Sequence, residues 1–346
     1  LYFSQIMPEN TFNITVIWGG SGTFNVLYGL KTYHDDTLTE KKNLAAIIAM
    51  TDSGGTTGQI RDKYGVLPPG DLRRGIAALA RDTGLVRQLF EYKFSWETGV
   101  IGGNKLWNIL LTALADITWD FEKGLDEMCK MFDVHWKVIP VTLEDVQLGA
   151  IMEDGTEVIG EKNIDVSDKN PWEKSHNPNQ NIKEAFLVGW EWNINPRARD
   201  AILHSDLIVI GPGDFYTSVI PNLLSKWMKE ALKKSSAQIV YVVNIMADRW
   251  ETTSYELEDF IENIEKYAGN VIDYVLVNSW HISEELVEKY RREEWKKPVK
   301  LKEWSDYSSR RFKIVERDFV NESDVVRHDP KKLAGTLIDI CRGWIK

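Results

Sequence analysis

Short runs of β-branched and aliphatic residues recur along the chain, and between them apolar residues return every three or four positions. Such runs are typical of buried strands, and the longer spacing is typical of helices that bury one face. The predicted strands cover 14–18, 44–50, 137–141, 207–210, 238–243 and 272–277, and predicted helices include 71–80, 120–132, 196–204, 255–267, 283–295 and 331–344. This alternation predicts an α/β fold, a Rossmann-like, doubly wound, mostly parallel sheet with helices on both faces.

Two segments interrupt the alternation. Asp154-Gly155 separates the runs 146–152 and 157–159, which predicts a small β-hairpin excursion. From about 165 to 192 the chain is rich in Asn, Pro and Trp, which predicts an irregular insertion whose tryptophans anchor it, cover a ligand or join a subunit contact. We assign residues 7–346 to a single domain and interpret residues 1–6 as the remnant of a tag.

Glycine-rich segments follow three of the predicted strands, at 19–23, 51–79 and 211–218. Because the carboxyl ends of parallel strands lie at one edge of the sheet, we expect these segments to share a cleft. A glycine turn before a helix directs backbone N–H groups toward an anion, which predicts a phosphorylated ligand. At 19–23 a tight turn without a ligand is the alternative, since the spacing matches neither GxGxxG nor the Walker pattern.

The segment 51–79 carries charges of both signs. Asp52 and Asp71 offer carboxylates to a hard cation, and Arg61, Arg73 and Arg74 offer guanidinium groups to phosphate oxygens. Asp71 has two open interpretations, a metal-binding carboxylate or the N-cap of the following helix. Arg73 and Arg74 fall in the first helical turn, where the helix dipole disfavours positive charge. We therefore expect at least one of these arginines to face an anion.

The overall charge narrows the range of partners. The 346 residues carry a net charge of −10 with an isoelectric point near 5.3, which argues against a general nucleic-acid or anionic-membrane binder. No apolar run reaches the about 20 residues of a membrane span, and the N-terminal stretch lacks the layout of a secretory signal, so we expect a cytoplasmic protein. Cys129 and Cys341 have no pairing pattern and are interpreted as buried thiols.

The absence of known motifs excludes two classes of enzyme. The sequence has no G-x-S-x-G elbow, no H-E-x-x-H and no His/Cys cluster, which excludes a serine hydrolase and a zinc enzyme. The remaining acid, amide, hydroxyl and arginine groups suit a phosphorylated ligand, with Mg²⁺ as the expected metal, and a transferring phosphoryl group. His328 is interpreted either as a general acid or base or as an ordinary loop histidine.

Five motifs in one order resemble a known family. They are Gly19-Gly20-Ser21-Gly22, Thr51-Asp52-Ser53-Gly54-Gly55-Thr56-Thr57-Gly58 with Arg61, Gly65-Val66-Leu67-Pro68-Pro69-Gly70-Asp71, Gly211-Pro212-Gly213-Asp214-Phe215-Tyr216-Thr217-Ser218 with Pro221-Asn222, and Arg327-His328-Asp329. Together they resemble the family that joins the phospholactate transferase of deazaflavin coenzyme synthesis (CofD) with the bacterial gluconeogenesis factors (YvcK, UPF0052). The resemblance covers nearly the whole chain, and the loops of 51–71 are closer to the YvcK branch.

The two branches imply different functions. Resemblance to the YvcK branch implies a nucleotide-binding regulator of carbon and cell-wall metabolism and cell shape, with a UDP-sugar such as UDP-N-acetylglucosamine as ligand. Resemblance to the CofD branch implies an Mg²⁺-dependent transferase that moves a phospholactyl-type group from a nucleotide diphosphate donor to a hydroxyl acceptor. A third hypothesis is an interaction scaffold with a vestigial pocket. The family and the excess of tryptophan also imply a homodimer.

The predicted catalytic residues are Asp52 and Asp71, and the predicted metal ligand is Asp52, where the resemblance implies a metal carboxylate. Ser53 stands where relatives often carry a second Asp, which weakens the expected metal site. Asn104 stands where the YvcK pattern usually has His. Whether any reaction is catalysed, and on which acceptor, is left open by the sequence.

The predicted ligand-binding residues come from the glycine-rich loops and from the resemblance. The resemblance implies that Ser21 with its glycines, Asn108, the 211–218 loop, Tyr290 and Arg327 surround the nucleotide. The full predicted set is Gly19, Gly20, Ser21, Gly22, Thr23, Gly54, Gly55, Thr56, Arg61, Arg73, Asn108, Gly211, Gly213, Asp214, Tyr216, Thr217, Ser218, Asn222, Asn244, Tyr290 and Arg327.

Overall fold

Seven parallel strands form the central sheet of the computed structural model, in the order β12-β10-β8-β7-β1-β2-β3. The structure describes residues 11–19, 22–33, 41–53, 67–68, 70–81, 84–95, 97–99, 102–165, 176–177, 179–189, 192–252, 254–299, 307, 310–322 and 326–345. The strands are β1 (Thr11–Trp18), β2 (Lys41–Ile48), β3 (Lys137–Pro140), β4 (Gln147–Met152), β5 (Glu157–Ile159), β6 (Ile182–Val188), β7 (Leu207–Ile210), β8 (Gln238–Val242), β9 (Met246–Ala247), β10 (Tyr274–Asn278), β11 (Lys297–Pro298), β12 (Lys313–Arg317), β13 (Val320–Glu322) and β14 (Val326–His328).

Helices connect most of these strands. They are α1 (Gly22–Thr32), α2 (Gly70–Leu79), α3 (Gly84–Glu91), α4 (Leu106–Thr118), α5 (Phe121–Met131), α6 (Glu161–Ile164), α7 (Pro196–Leu203), α8 (Ile220–Leu223), α9 (Met228–Lys234), α10 (Leu257–Ala268), α11 (Glu284–Glu293) and α12 (Pro330–Cys341), with a π-helical turn at Phe215–Val219. Within the described ranges, none of these helices has the length and apolar character needed to cross a bilayer.

The central strands are buried on both faces. Ile14, Thr15, Val16 and Ile17 of β1 are all buried, as are the four residues of β7. Because successive side chains of a strand point to opposite faces, other layers must cover both sides of the sheet. The predicted doubly wound α/β fold is confirmed.

The strand order reverses at the centre of the sheet. From β1 the chain proceeds to β2 and β3 on one side, and later to β7, β8, β10 and β12 on the other. β1 and β7 are neighbours, and their carboxyl ends lead into Gly19 and Gly211. Ligands of open α/β sheets bind at such a reversal point, so the fold predicts a binding site at these two turns.

A small antiparallel sheet lies outside the central one. β4 and β5 form the predicted hairpin around Asp154-Gly155. β6 pairs with the other edge of β4, so part of the segment predicted as irregular is a regular strand. Trp192 anchors the end of β6, since its Nε1 donates to Val188 O at 3.1 Å. Residues 166–175, 178 and 190–191 of the predicted insertion, with Trp172 and Trp190, lie outside the described residues.

Side-chain caps begin several predicted helices. Asp120 accepts from Lys123 N at 3.0 Å, and Asn195 accepts from Arg197 N at 2.8 Å ahead of Pro196. Asp71 is not at the N-cap position, because α2 begins at Gly70 and places Asp71 within its first turn. Cys129 is a buried thiol, as predicted, whereas Cys341 is only half-buried.

Candidate functional site

The turn after β1 and the turn after β7 pack against each other. A Cβ on Gly19 would clash with the backbone of Ser218, and a Cβ on Gly213 would clash with the carbonyl oxygen of Gly19. Both positions therefore require glycine for close approach of the two backbones. Asn244, which follows β8, holds the second turn because its Nδ2 donates to Gly213 O at 2.7 Å. Three neighbouring strand ends thus build one wall of a cleft.

The cleft has a volume of about 230 Å³. The predicted site residues that line it are Gly22, Gly213, Asp214, Asn244, Tyr290 and Arg327. Asp248 and Lys296 also line it and were not predicted, and His328 lies with them. The structure therefore joins the N-terminus of α1, the 211–218 turn, helix α11 and strand β14 around one space.

Glu251 anchors the 211–218 turn through hydrogen bonds. This carboxylate is buried and accepts hydrogen bonds from Tyr216 N at 2.7 Å and from the hydroxyl of Thr217. Burial raises the pKa of Glu251 well above its usual value, an effect that Asp165 and Asp214 reinforce. Sequence reasoning missed this residue. The available signal was its position, seven residues after Asn244 in the segment that follows strand β8.

Four residues that were predicted to bind the ligand support the turn and do not line the cleft. They are Tyr216, Thr217, Ser218 and Asn222. The Tyr216 hydroxyl is in the core, 2.6 Å from the Tyr255 hydroxyl, and Thr217 is bound to Glu251. Asn222 is fully buried, and its Nδ2 donates to the carbonyl oxygen of Ser218 at 2.9 Å. The π-helical turn causes this arrangement, because all five of its residues are buried.

Arg73 and Arg74 have protein carboxylates as partners. Arg73 is buried, and its guanidinium donates to Phe90 O at 3.0 Å and to Glu91 Oε1 at 2.7 Å. Arg74 pairs with Asp71 at 3.1 Å. Arg73 thus joins α2 to α3, and the anion that it faces in the described structure is Glu91.

Asn108 has an unusual environment in the first turn of α4. Its side chain is 1% exposed, yet neither its amide oxygen nor its amide nitrogen has a hydrogen-bond partner in the described part of the protein. Lys105 immediately precedes this helix, and burial together with the charges of Arg73 and Arg74 lowers the pKa of Lys105. Positive charge and an unpaired amide therefore lie at the start of one helix.

Carboxylates dominate the electrostatics of the cleft. Asp214 is open to the cleft, but protein encloses it on most sides, so burial and then the charge of Asp248 raise its pKa. Burial, Asp214 and Asp248 raise the pKa of Asp165 to about 7. Lys296 is the balancing cation, with Nζ 3.0 Å from Glu294 and 3.5 Å from Asp248. Burial alone would lower the pKa of Lys296. The charges of Asp248 and Glu294 have the larger combined effect, so the pKa of Lys296 is raised overall.

A second carboxylate group includes the predicted catalytic residue Asp52. Glu161 of α6 accepts from Ser53 N at 3.4 Å, and burial followed by the charge of Asp52 raises the pKa of Glu161 to about 8. Among the described residues, no set of three or more His, Cys, Asp or Glu side chains has an arrangement suited to a metal ion. Mg²⁺ often takes only one or two carboxylates and completes its shell with phosphate and water, so Asp52 with Glu161 fits such a site.

His328 has a structural partner. It is buried, and its Nε2 lies 3.1 Å from Val243 O. Burial lowers the pKa of His328 to about 4, which keeps the ring neutral at pH 7 and makes Nε2 the donor. The structure therefore favours a histidine that holds β14 against the strand end over a general acid or base.

Several predicted positions cannot be placed. Gly20, Ser21, Gly54, Gly55, Thr56 and Arg61, and the side chain of Thr23, lie outside the described residues. Gly19 and Gly211 are described but are not among the cleft-lining residues; Gly19 contacts Gly213, and Gly211 directly precedes Pro212, and both of these partners line the cleft.

Comparisons with known proteins agree with the motifs. A family profile described as 2-phospho-L-lactate transferase CofD matches residues 14–320. The gluconeogenesis factor of Halalkalibacterium halodurans is 34% identical over 94% of this chain and 96% of its own length. That of Bacillus subtilis is 34% identical over 95% of this chain and 98% of its own length. A crystal structure of a UPF0052-family protein from Bacillus halodurans has a TM-score of 0.84 at 34% identity, covering 95% of this chain and 99% of that one.

Proposed function

The chain belongs to the CofD family, and from this membership we propose that it binds a nucleotide sugar of the UDP type and acts as a regulator. The name gluconeogenesis factor, carried by its relatives, supports a role in carbon metabolism. The resemblance of the 51–71 loops to the YvcK branch supports UDP-N-acetylglucosamine as the ligand and a link to the cell wall and cell shape.

The amide of Asn108, which has no hydrogen-bond partner among the described residues, is the observation that carries the proposal. A buried polar group without a partner costs about 1–3 kcal/mol, so a ligand that pairs with it recovers this free energy. An amide presents one acceptor and a donor side by side. The imide edge of uracil offers the complementary donor and acceptor, so the amide suits a uridine nucleotide. Guanine offers the same pair at N1–H and O6, so the choice of uridine rests on the resemblance to the YvcK branch.

Cationic groups near Asn108 and in the cleft suit the phosphates of such a ligand. Arg327 and Lys296 line the cleft. The charge of Arg74 lowers the pKa of Asp214 in the cleft and that of Lys105 before α4, so its field reaches both regions. A diphosphate would be attracted by these groups and repelled by ionised Asp214 and Asp248. Mg²⁺ held by Asp52 and Glu161 would reduce that repulsion.

Calorimetric titration with UDP-N-acetylglucosamine, in parallel with GDP, GTP and NAD, tests the proposal. We expect the uridine ligand to bind, and Asn108→Leu and Arg327→Gln each to weaken it about tenfold or more through loss of a hydrogen bond or charge. Arg310→Gln is the matched control, because the guanidinium of Arg310 pairs with Glu262, at 3.9 Å, and Arg310 is not among the described residues that line the cleft. Indifference to every uridine nucleotide would reject the proposal and favour a scaffold with a vestigial pocket.

The second carboxylate group supports an alternative, an Mg²⁺-dependent transferase of the CofD type. Asp52 and Glu161 would hold the metal, which would neutralise charge on a phosphoryl group during transfer. The test is turnover of a nucleotide diphosphate donor with and without magnesium. Asp52→Asn should abolish the magnesium-dependent part, and unchanged turnover in this variant would exclude the assignment.

We also propose that a second copy of the chain covers α4. Leu106, Ile109, Ala113 and Ile117 are spaced to form one outward row on this helix, and Ile117 is 72% exposed. Trp119, directly after the helix, is 93% exposed. Homodimer interfaces are more apolar than other surfaces, and a two-fold axis places such a row against itself.

A further inference from the structure

A second hollow lies beside the cleft and belongs to a different part of the sheet edge. Its volume is about 770 Å³, within the range of small-molecule sites, and it opens at the carboxyl ends of β10 and β12. Ile245 is the residue that lines both this hollow and the cleft. Among the described residues that are predicted to bind the nucleotide, none lines the hollow.

One wall of the hollow is apolar and firmly packed. Ile245 and Ile282 are buried, and they pack with Val287 in a small apolar cluster separate from the main core. Trp280 stands on the same wall with 54% of its surface exposed. Both amide atoms of Asn278 hold its backbone, since Nδ2 donates to Trp280 O at 3.0 Å and Oδ1 accepts from Trp280 N at 3.3 Å. The indole is thus presented by a fixed turn.

The charged residues that line the described part of the hollow are mostly acidic. Glu284, Glu288 and Glu316 line it, and no Lys or Arg is among the described lining residues. Glu288 is paired with Arg291 at 2.9 Å. In the described part of the chain, Glu284 and Glu316 have no ion pair. Glu284 lies in the first turn of α11, where the helix dipole favours a negative charge. Glu316 lies on strand β12, so the helix dipole does not explain its acidic side chain.

We propose that this hollow binds an organic cation, a primary ammonium or a guanidinium group on an apolar stem. The charged end would meet Glu284 and Glu316 and the face of Trp280, while the stem would lie on Ile245 and Ile282. An anionic phosphate would be repelled, so this site takes a ligand of different chemistry from that of the cleft. The cation could be a free amine or guanidine, or the side chain of a lysine or arginine in a peptide.

Titration of the full chain with n-butylguanidinium tests the proposal, with n-butylurea as a neutral ligand of nearly the same shape. Binding is followed by calorimetry and by the indole N–H signal of Trp280 in NMR, assigned with Trp280→Leu. We expect butylguanidinium to bind and butylurea to bind at least tenfold more weakly. Equal binding of the two compounds, or no binding of the cation, would overturn the proposal.

Variants separate the role of the carboxylates from general surface charge. The double substitution Glu284→Gln with Glu316→Gln should weaken the cation at least tenfold, whereas Glu285→Gln should leave it unchanged, because Glu285 is in the same helical turn but does not line the hollow. Unchanged affinity in the double variant would overturn the proposal. The peptide acetyl-Ala-Arg-Ala-amide distinguishes the sources: binding at least as tight as butylguanidinium supports a peptide side chain, and its exclusion supports a free cation.

Discussion

At the scale of residues, the site is defined by acids that reach it from distant parts of the chain. Glu161 begins the short helix α6 and Asp165 follows its end, yet their charges interact with Asp52 and Asp214, which follow β2 and β7. Each ionised member raises the cost of ionising the next. The protein therefore holds protons at this edge at a pH where isolated carboxyls would have lost them.

This arrangement predicts how stability depends on pH. In the folded chain the pKa of Glu161 is about 8, whereas an unfolded glutamate titrates near about 4.3. The folded state binds the proton more tightly, so the stabilising contribution is complete below about pH 4.3 and is lost as the pH rises through about 8. The melting temperature should fall between pH 6 and pH 9.

Glu161→Gln removes that titration, so the fall in melting temperature should be smaller in this variant. Glu157→Gln, an exposed glutamate on the neighbouring strand β5, is the control and should melt like the parent protein at each pH. A Glu161→Gln variant with an unchanged pH dependence would show that the proton is held elsewhere.

Strand ends allowed part of the site to be predicted, and the remainder depended on tertiary contacts. Gly213, Asp214 and Asn244 directly follow apolar strands, so the rule for parallel sheets placed them at the cleft. Lys296 and Asp248 follow no such strand of the central sheet, and Glu251 acts only through Tyr216 and Thr217. Nothing in the local pattern of the chain encodes those long-range pairings.

At the scale of elements, the π-helical turn Phe215–Val219 depends on one glutamate. Glu251 accepts from a backbone N–H and from a hydroxyl of this turn, and the same turn carries Asp214 at its start. Removing the carboxylate leaves two buried donors without partners. Because each such group costs about 1–3 kcal/mol, the loss should lower the free energy of unfolding of the whole domain.

We expect Glu251→Ala to lower the free energy of unfolding by about 2–4 kcal/mol, measured by urea denaturation. Thr217→Val removes one of the two bonds and should cost about 1 kcal/mol. Glu262→Ala, at an exposed position of α10, is the control. A loss in Glu251→Ala no larger than that in the control would refute the supporting role.

Element boundaries show which local signals were sufficient. Asn195 before Pro196, and Asp120 before α5, gave helix starts that match the structure because the caps act within three residues. The strand β6 was missed because a stretch rich in Asn and Pro precedes it. Its register comes from pairing with β4, about 35 residues earlier in sequence.

At the scale of the whole molecule, the proposed contact through α4 predicts an assembly state. Sedimentation velocity should show a dimer for the parent chain, and Ile117→Glu should shift it toward the monomer, because the buried carboxylate would lack a partner. Ile159→Glu is the control, since Ile159 is also exposed, at 40%, but lies on β5. A dimer that persists in Ile117→Glu would place the interface elsewhere.

The central position of β1 also has a consequence for synthesis on the ribosome. β1 pairs with β7 across a separation of 193 residues, as does the bond from Asn13 to Asp206. At translation rates of about 5–20 residues per second, the apolar edge of β1 waits roughly 10–40 s for its neighbour. During that interval the nascent chain offers an open strand edge to other chains, so protection by a chaperone should matter most before residue 207 emerges.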